Sequence, residues 1–483
     1  MNHGKIICRD LGLILIMVGI ANIFSIIIPI IFKEYYAIPY LVLSSILLII
    51  VGFFLRIIAG KESEDTKLRH AVIIAGLSWI IIPLITLIPF KFIENLDILS
   101  AFFESMSGWT TTGLTMFGGR EAELSHTIQF YRSFTQWIGG IGVVLLTVSV
   151  LPRPGTGSYY LFVSESRSEK IWPNVVKTIR SMWWIYFFYT ILGIILLTLF
   201  GMPIWDSVNH SMCAISTGGF ATVGGSIGEY KNIILEIIMI CLMCFGSIAF
   251  ISHHHLLRGK LKQFFSDMQV RALIILVIIG GVILVLFNYD FYDGNLLTSL
   301  RYSFFQYASS QTTTGFQTVS LSDWSINSKL LVSLAMIIGG AAGATCGGIK
   351  LYRFIFLGKS IKWRTRRAIS SSHRIFAYKL DGKDILNEER LDITNEVTII
   401  VFLWIIFLLV GVFVLGFTNP EAPLEDSFLE ICSAQGNVGM SIGITNISMS
   451  PIAKIMMIIN MYIGRLEIIP VIMMLSAIFR KYI

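Results

Sequence analysis

Apolar residues run along this chain in long blocks separated by polar breaks. The blocks fall near 11–32, 40–59, 71–90, 127–151, 181–202, 231–252, 270–288, 329–357, 395–417 and 452–479. A hydrocarbon core about 30 Å thick takes about 20 helical residues to cross. The pattern therefore predicts an all-α integral membrane fold with ten transmembrane helices and both termini on one side. The run from Leu11 to Phe32 is too long for a signal-peptide core and reads as a first spanning helix. Most connections on one side of the membrane begin with a short apolar piece that cannot span, then turn polar.

Composition agrees with the pattern. Of 483 residues, 55% are hydrophobic and only 14% charged, whereas a soluble domain is about 25% charged. Charge then sets the orientation. Of the 37 Lys and Arg residues, 28 fall on the termini or on the connections of one side, eleven of them between Lys350 and Arg390. By the positive-inside rule that side is cytoplasmic. The net charge of +7 follows from the basic inner face and calls for no nucleic acid. The six cysteines (8, 213, 241, 244, 346 and 432) are scattered through apolar runs and spell neither a disulfide framework nor a metal site. No phosphate-binding loop, dinucleotide fingerprint or nucleophile elbow is present. The "HHH" at 253–255 follows the sixth block, and consecutive helical histidines point in different directions, so it reads as neither metal site nor pH sensor.

The outer connections repeat. "WTTTGLT" (109–115), "STGGFAT" (216–222), "QTTTGFQT" (311–318) and "GNVGMS" (436–441) align on Gly113, Gly219, Gly315 and Gly439. The register extends upstream: nine residues earlier stand Glu104, His210, Gln306 and Glu430, and six earlier Ser107, Cys213, Ser309 and Ser433. The unit is helix, short re-entrant helix, polar glycine turn, helix, occurring four times after an extra helix pair. This divides the chain into a helix pair at 1–65 and units at 66–155, 156–260, 261–392 and 393–483. Irregular backbone at membrane depth must be buried in protein or line a watery path. Four such turns around one axis could offer rings of carbonyl oxygen in place of a cation's hydration shell. The −9 residues are expected to brace the turns by hydrogen bonds. An enzyme built on Glu104, His210 and Glu430 is the reading from another class.

These turns, with "FYRSFTQWIGGIG" and "GGAAGATCGGIK", resemble the Trk/Ktr/HKT superfamily of potassium translocators. The extra helix pair resembles the TrkH branch. The resemblance covers nearly the whole chain. It implies a potassium filter at Thr111, Thr112 and Gly113, at Thr217, Gly218 and Gly219, at Thr313, Thr314 and Gly315, and at Asn437, Val438 and Gly439. The fourth turn departs from the Thr-Thr-Gly pattern. Gly113, rather than serine, argues for K⁺ over Na⁺, with a sodium or nonselective cation transporter as the alternative. K⁺ is thus the transported ion, and no organic cofactor is expected on this chain.

Two further stretches carry weight. "GGAAGATCGGIK" (339–350) interrupts the eighth block, where each Gly weakens a helix by about 0.5–1 kcal/mol. By resemblance it is an intramembrane gating loop, with Gly340, Gly343, Gly347 and Lys350 as its gating residues; close helix packing is the plainer reading. In "NMYIGRLEIIP" Arg465 and Glu467 lie inside the tenth block, where a charge costs about 2.5–3.5 kcal/mol. Their i, i+2 spacing predicts separate partners. By resemblance Arg465 projects towards the permeation path just inside the filter. The glycines of "GGIGVV" (139–144) read as packing. The resemblance also implies a homodimer in the cell (inner or plasma) membrane and a TrkA-like cytosolic nucleotide-binding subunit. The basic connection 358–392, with 152–180, is its expected dock; contact of that connection with anionic membrane lipid is the plainer reading.

Overall fold

The computed structural model describes residues 3–60, 64–142, 174–370 and 378–479. Of the expected dock at 152–180, residues 152–173 lie outside the described residues.

Two long helices open the chain: α1 (His3–Ile23) and α2 (Ile38–Ala59). They pack so closely that a β-carbon on Gly12 would overlap the Gly52 carbonyl oxygen, the small-residue contact that lets apolar helices associate in lipid. Asn22 adds bonds of 3.1 Å to both Ser44 and Ser45.

Four three-part units follow. Their incoming helices are α3 (Leu68–Thr86), α6 (Val175–Leu199), α10 (Met268–Phe287) and α14 (Asn387–Thr418). Their short helices are α4 (Ile98–Trp109), α7 (Ile204–Ile215), α11 (Leu296–Gln311) and α15 (Leu424–Gly436). Their outgoing helices are α5 (His126–Ile141), α8 (Ile233–Gly246), α12 (Ile326–Ile338) and α16 (Pro451–Leu466). Each outgoing helix starts on a side-chain cap, from Ser125, Asn232, Ser325 and Ser450, which satisfies a first-turn N–H.

The outgoing helices stop where the apolar blocks continue. The expected straight spans at 231–252 and 452–479 are instead bent pairs: α8 turns by 113° into α9 (Phe250–Leu257), and α16 by 103° into α17 (Ile468–Phe479). The eighth block is helical to Ile338, irregular through 339–350, and helical again as α13 (Leu351–Ala368). In the fourth, α5 stops at Gly142, which has φ 104°, and residues 143–151 lie outside the described residues. Among the described residues, six single helices and these two bent pairs are long and apolar enough to cross a membrane. The other two of the ten expected spans are not continuous helices among the described residues. A small hairpin, β1 (Tyr378–Leu380) and β2 (Lys383–Ile385), folds after α13.

Candidate functional site

The four short helices end in one and the same way. Thr111, Thr217, Thr313 and Asn437 take the left-handed conformation at φ 54°, 51°, 54° and 53°. Their N–H groups donate to the carbonyls of Gly108, Ala214, Ser310 and Ala434. The next N–H groups, of Thr112, Gly218, Thr314 and Val438, donate to Ser107, Cys213, Ser309 and Ser433 at 2.8–2.9 Å. This is the Schellman cap, which normally places glycine at its left-handed residue. Threonine there costs about 1–2 kcal/mol per site, and such strain persists only where the surroundings enforce it.

One residue further on, Gly113, Gly219, Gly315 and Gly439 again have positive φ, from 76° to 96°. The residues between have negative φ, so backbone handedness alternates through each turn. A β-carbon on Gly113 would overlap the Gly218 carbonyl oxygen. One on Gly219 would overlap Thr314 O, on Gly315 Val438 O, and on Gly439 Thr112 O. The order runs from first to second, third, fourth and back to first: the turns close a ring, and glycine is what permits that approach. Asn437 Nδ2 also donates to Thr112 Oγ1 at 2.9 Å, joining last turn to first.

Groups behind the ring hold it. Glu104 accepts from Thr115 Oγ1 and Met116 N, and pairs with Arg132 at 2.8 Å. Arg132 is only 1% exposed inside α5. It also donates to Ala221 O and covers the Phe220 ring at 4.0 Å, tying the first turn to the second. Glu430 accepts from Ser441, Ile442 and Thr445, and Gln306 donates to Val319 O. His210 departs from the bracing expectation: its Nδ1 donates to Asp206 O within its own helix. Gln136 is a brace the sequence reading missed. Its Nε2 donates to Gly218 O at 2.6 Å, and its Oε1 accepts from Phe220 N. The available signal was an amide inside an apolar block.

The irregular segment 339–350 lies directly against one side of the ring. Gly347 N donates to Thr313 Oγ1 at 2.9 Å. Thr345 Oγ1 bonds the carbonyls of Ile215 and Gly246 at 3.0 and 2.9 Å and lies 3.3 Å from Thr217 Oγ1. Gly343 O accepts from Phe250 N, and Gly340 O from Leu351 N. Lys350 stands at the start of α13 with its Nζ on Cys346 O. Thr345, absent from the sequence-derived residues, is thus the main fastening of the segment.

Arg465 and Glu467 do have separate partners. Arg465 donates to Thr345 O at 2.6 Å, to Gly139 O at 2.5 Å, to Gly140 O at 2.8 Å and to Thr111 Oγ1 at 3.3 Å. Gly139 and Gly140, read as packing residues, also supply carbonyls at the end of α5, where the helix dipole favours a cation. Glu467 pairs with Arg353 at 2.5 Å. His253 is a buried core residue bonded to Tyr189 and Phe245 O. Among the described residues no group of three His, Cys, Asp or Glu side chains is placed to hold a metal. The turns are instead rich in backbone carbonyl and side-chain oxygen, the atom type with which channels coordinate alkali cations.

The cation transport protein family TrkH matches residues 37–481. The chain is 35% identical to a cation transporter of Methanocaldococcus jannaschii over 98% of its own length and 96% of that protein's. It is 32% identical to the Trk system potassium uptake protein TrkH of Escherichia coli K12, over 87% of each chain. The crystal structure of the potassium transporter TrkH from Vibrio parahaemolyticus superposes with a TM-score of 0.85 at 25% identity, covering 99% of this chain and all of that one.

Proposed function

The chain belongs to the TrkH family of cation transport proteins, and from that premise we propose that it takes up potassium through the ring of four turns. Members of this family are transporters, so the enzyme alternative built on Glu104, His210 and Glu430 falls. The observation that carries the potassium reading is the closed ring, with a left-handed residue at the same position and a positive-φ glycine two residues later in all four turns. In this reading the filter comprises Thr111–Gly113, Thr217–Gly219, Thr313–Gly315 and Asn437–Gly439, and backbone oxygens replace water around the ion. The repeat boundaries 66–155, 156–260, 261–392 and 393–483 place one turn in each unit.

Segment 339–350 is the gate in this reading, with Gly340, Gly343, Gly347, Lys350 and Arg465 as its working residues. Its bonds to Thr217 and Thr313 support that role, because displacing it would leave the turns open from that side. The chain is a multi-pass membrane protein; we place it in the inner or plasma membrane with both termini cytoplasmic. A TrkA-like cytosolic subunit would control the gate, and two copies of the chain would form a homodimer.

Flux into proteoliposomes tests the reading. K⁺ and Rb⁺ are expected to enter and to protect the protein from thermal unfolding, with Na⁺ and Li⁺ doing neither. Equal flux of Na⁺ would select the nonselective alternative, and no cation flux would overturn the proposal.

A further inference from the structure

α16 ends at Leu466, and Glu467 then takes φ 62° and ψ 161°. That region is essentially open only to glycine, and a side chain held there points to surroundings that enforce it. One contact holds the side chain in place. Glu467 Oε2 accepts from Arg353 Nη2 at 2.5 Å, with both side chains about 10% exposed. Arg353 lies in the first turn of α13, so the carboxylate faces the positive end of that helix. Glu396 on α14 is another carboxylate acting on the Arg353 charge.

Both ends of this pair lead to the segment against the ring. α13 continues directly from 339–350. Two residues before Glu467, Arg465 grips Thr345 O in that segment, the carbonyls ending α5, and the Thr111 hydroxyl in the first turn. We propose that Arg353 and Glu467 are positioning residues: their pair ties α13 to the bend that aims Arg465 at the gating segment. A displacement of α13 must then either break the pair or drag the bend, and with it the guanidinium. Breaking the pair would loosen Arg465 and the segment together, while the turn-to-turn contacts that close the ring, none of which involves Arg353, Glu467 or Arg465, would stay in place. This deepens the gating reading above and rests on it.

The test compares Arg353→Gln, Glu467→Gln, Glu467→Gly and the exchange Arg353→Glu with Glu467→Arg. Each is reconstituted, with flux counted per folded molecule. The single variants are expected to raise basal K⁺ flux several-fold at an unchanged K⁺/Na⁺ ratio, and the exchange to bring it back towards the parent. Glu467→Gly relieves the backbone while losing the charge, so it separates strain from pairing. It should open the path like Glu467→Gln without the same loss of thermal stability. A second readout stands apart from flux. Cys346 is only 1% exposed, and with the other five cysteines replaced by Ser its reaction with a maleimide should quicken in the single variants. Parent-like flux together with parent-like Cys346 reaction would overturn the proposal. A parent chain that passes no K⁺ would sink the transport reading instead, leaving the maleimide rates to judge the pair.

Discussion

At Gly113 the missing side chain leaves space that the second turn fills with the Gly218 carbonyl oxygen. Gly113→Ser must push that oxygen aside and distort one quarter of the ring. The expected outcome is a chain that still folds but admits Na⁺, seen as a several-fold fall in the K⁺/Na⁺ flux ratio. Retention of the parent ratio would remove Gly113 from the filter. The glycines themselves were legible, because a polar Gly-centred stretch between apolar blocks recurs in one register. The left-handed threonines were not. A β-branched residue is a poor candidate for positive φ, so local preference argued against the geometry that four neighbouring turns impose at Thr111, Thr217 and Thr313. The environment of Arg132 was hidden for a related reason. A charge near the edge of an apolar block reads as solvent-facing, and only the fold reveals that Glu104 and the Phe220 ring enclose it.

Among the elements, the outgoing helices differ most from expectation. Hydropathy reports where a segment can sit in lipid, not whether its axis is straight, so the breaks after Gly246 and Leu466 were invisible within unbroken apolar blocks. Only 339–350 announced itself, through its glycines. Gly343 has φ 77° and offers its carbonyl to Phe250 N, at the bend between α8 and α9. Gly343→Val strains that backbone and should change K⁺ flux several-fold while leaving the K⁺/Na⁺ ratio alone. Unchanged flux would favour simple packing over gating. A second element-level link joins the N-terminal pair to the first unit. Glu34, between α1 and α2, accepts from His126 N and Thr127 N at 2.9 Å and so caps α5 from outside. Partial burial acts to raise its carboxyl, but the bonds from Thr127 and His126 outweigh that and hold it below its ordinary range. Because the folded value is lowered, the stabilisation is present above the unfolded carboxylate range. It fades as pH falls through the lowered value. Glu34→Ala should cost about 1–2 kcal/mol of stability at neutral pH. The variant's melting point and that of the parent should converge in acid; a gap independent of pH would refute the link.

Across the whole molecule, the positive-inside pattern expects the basic connections to share the cytoplasmic side, and the longest of them is the part with the most to gain from a partner. α13 leaves the gating segment and carries Arg364, Arg366 and Arg367, all exposed. Beyond it the hairpin folds back: Tyr378 meets Trp363 edge-on at 5.4 Å and is covered by Arg390 at 4.5 Å. A bare positive-inside flank needs no such packed structure. The sequence showed the charge and the length of this connection, but it could not show the hairpin, whose two strands are only three residues each. If this face docks an acidic surface of a cytosolic subunit, force applied to α13 passes without a break into 339–350, and from there to Thr345 and Arg465. Reversing the charge at Arg364, Arg366 and Arg367 together should then abolish co-purification with that subunit. Loss of nucleotide-responsive flux should accompany it, while basal K⁺ flux in pure zwitterionic lipid should persist. Should the complex survive and binding to anionic vesicles fall instead, the face belongs to the membrane surface, and the subunit must reach the gate by another route.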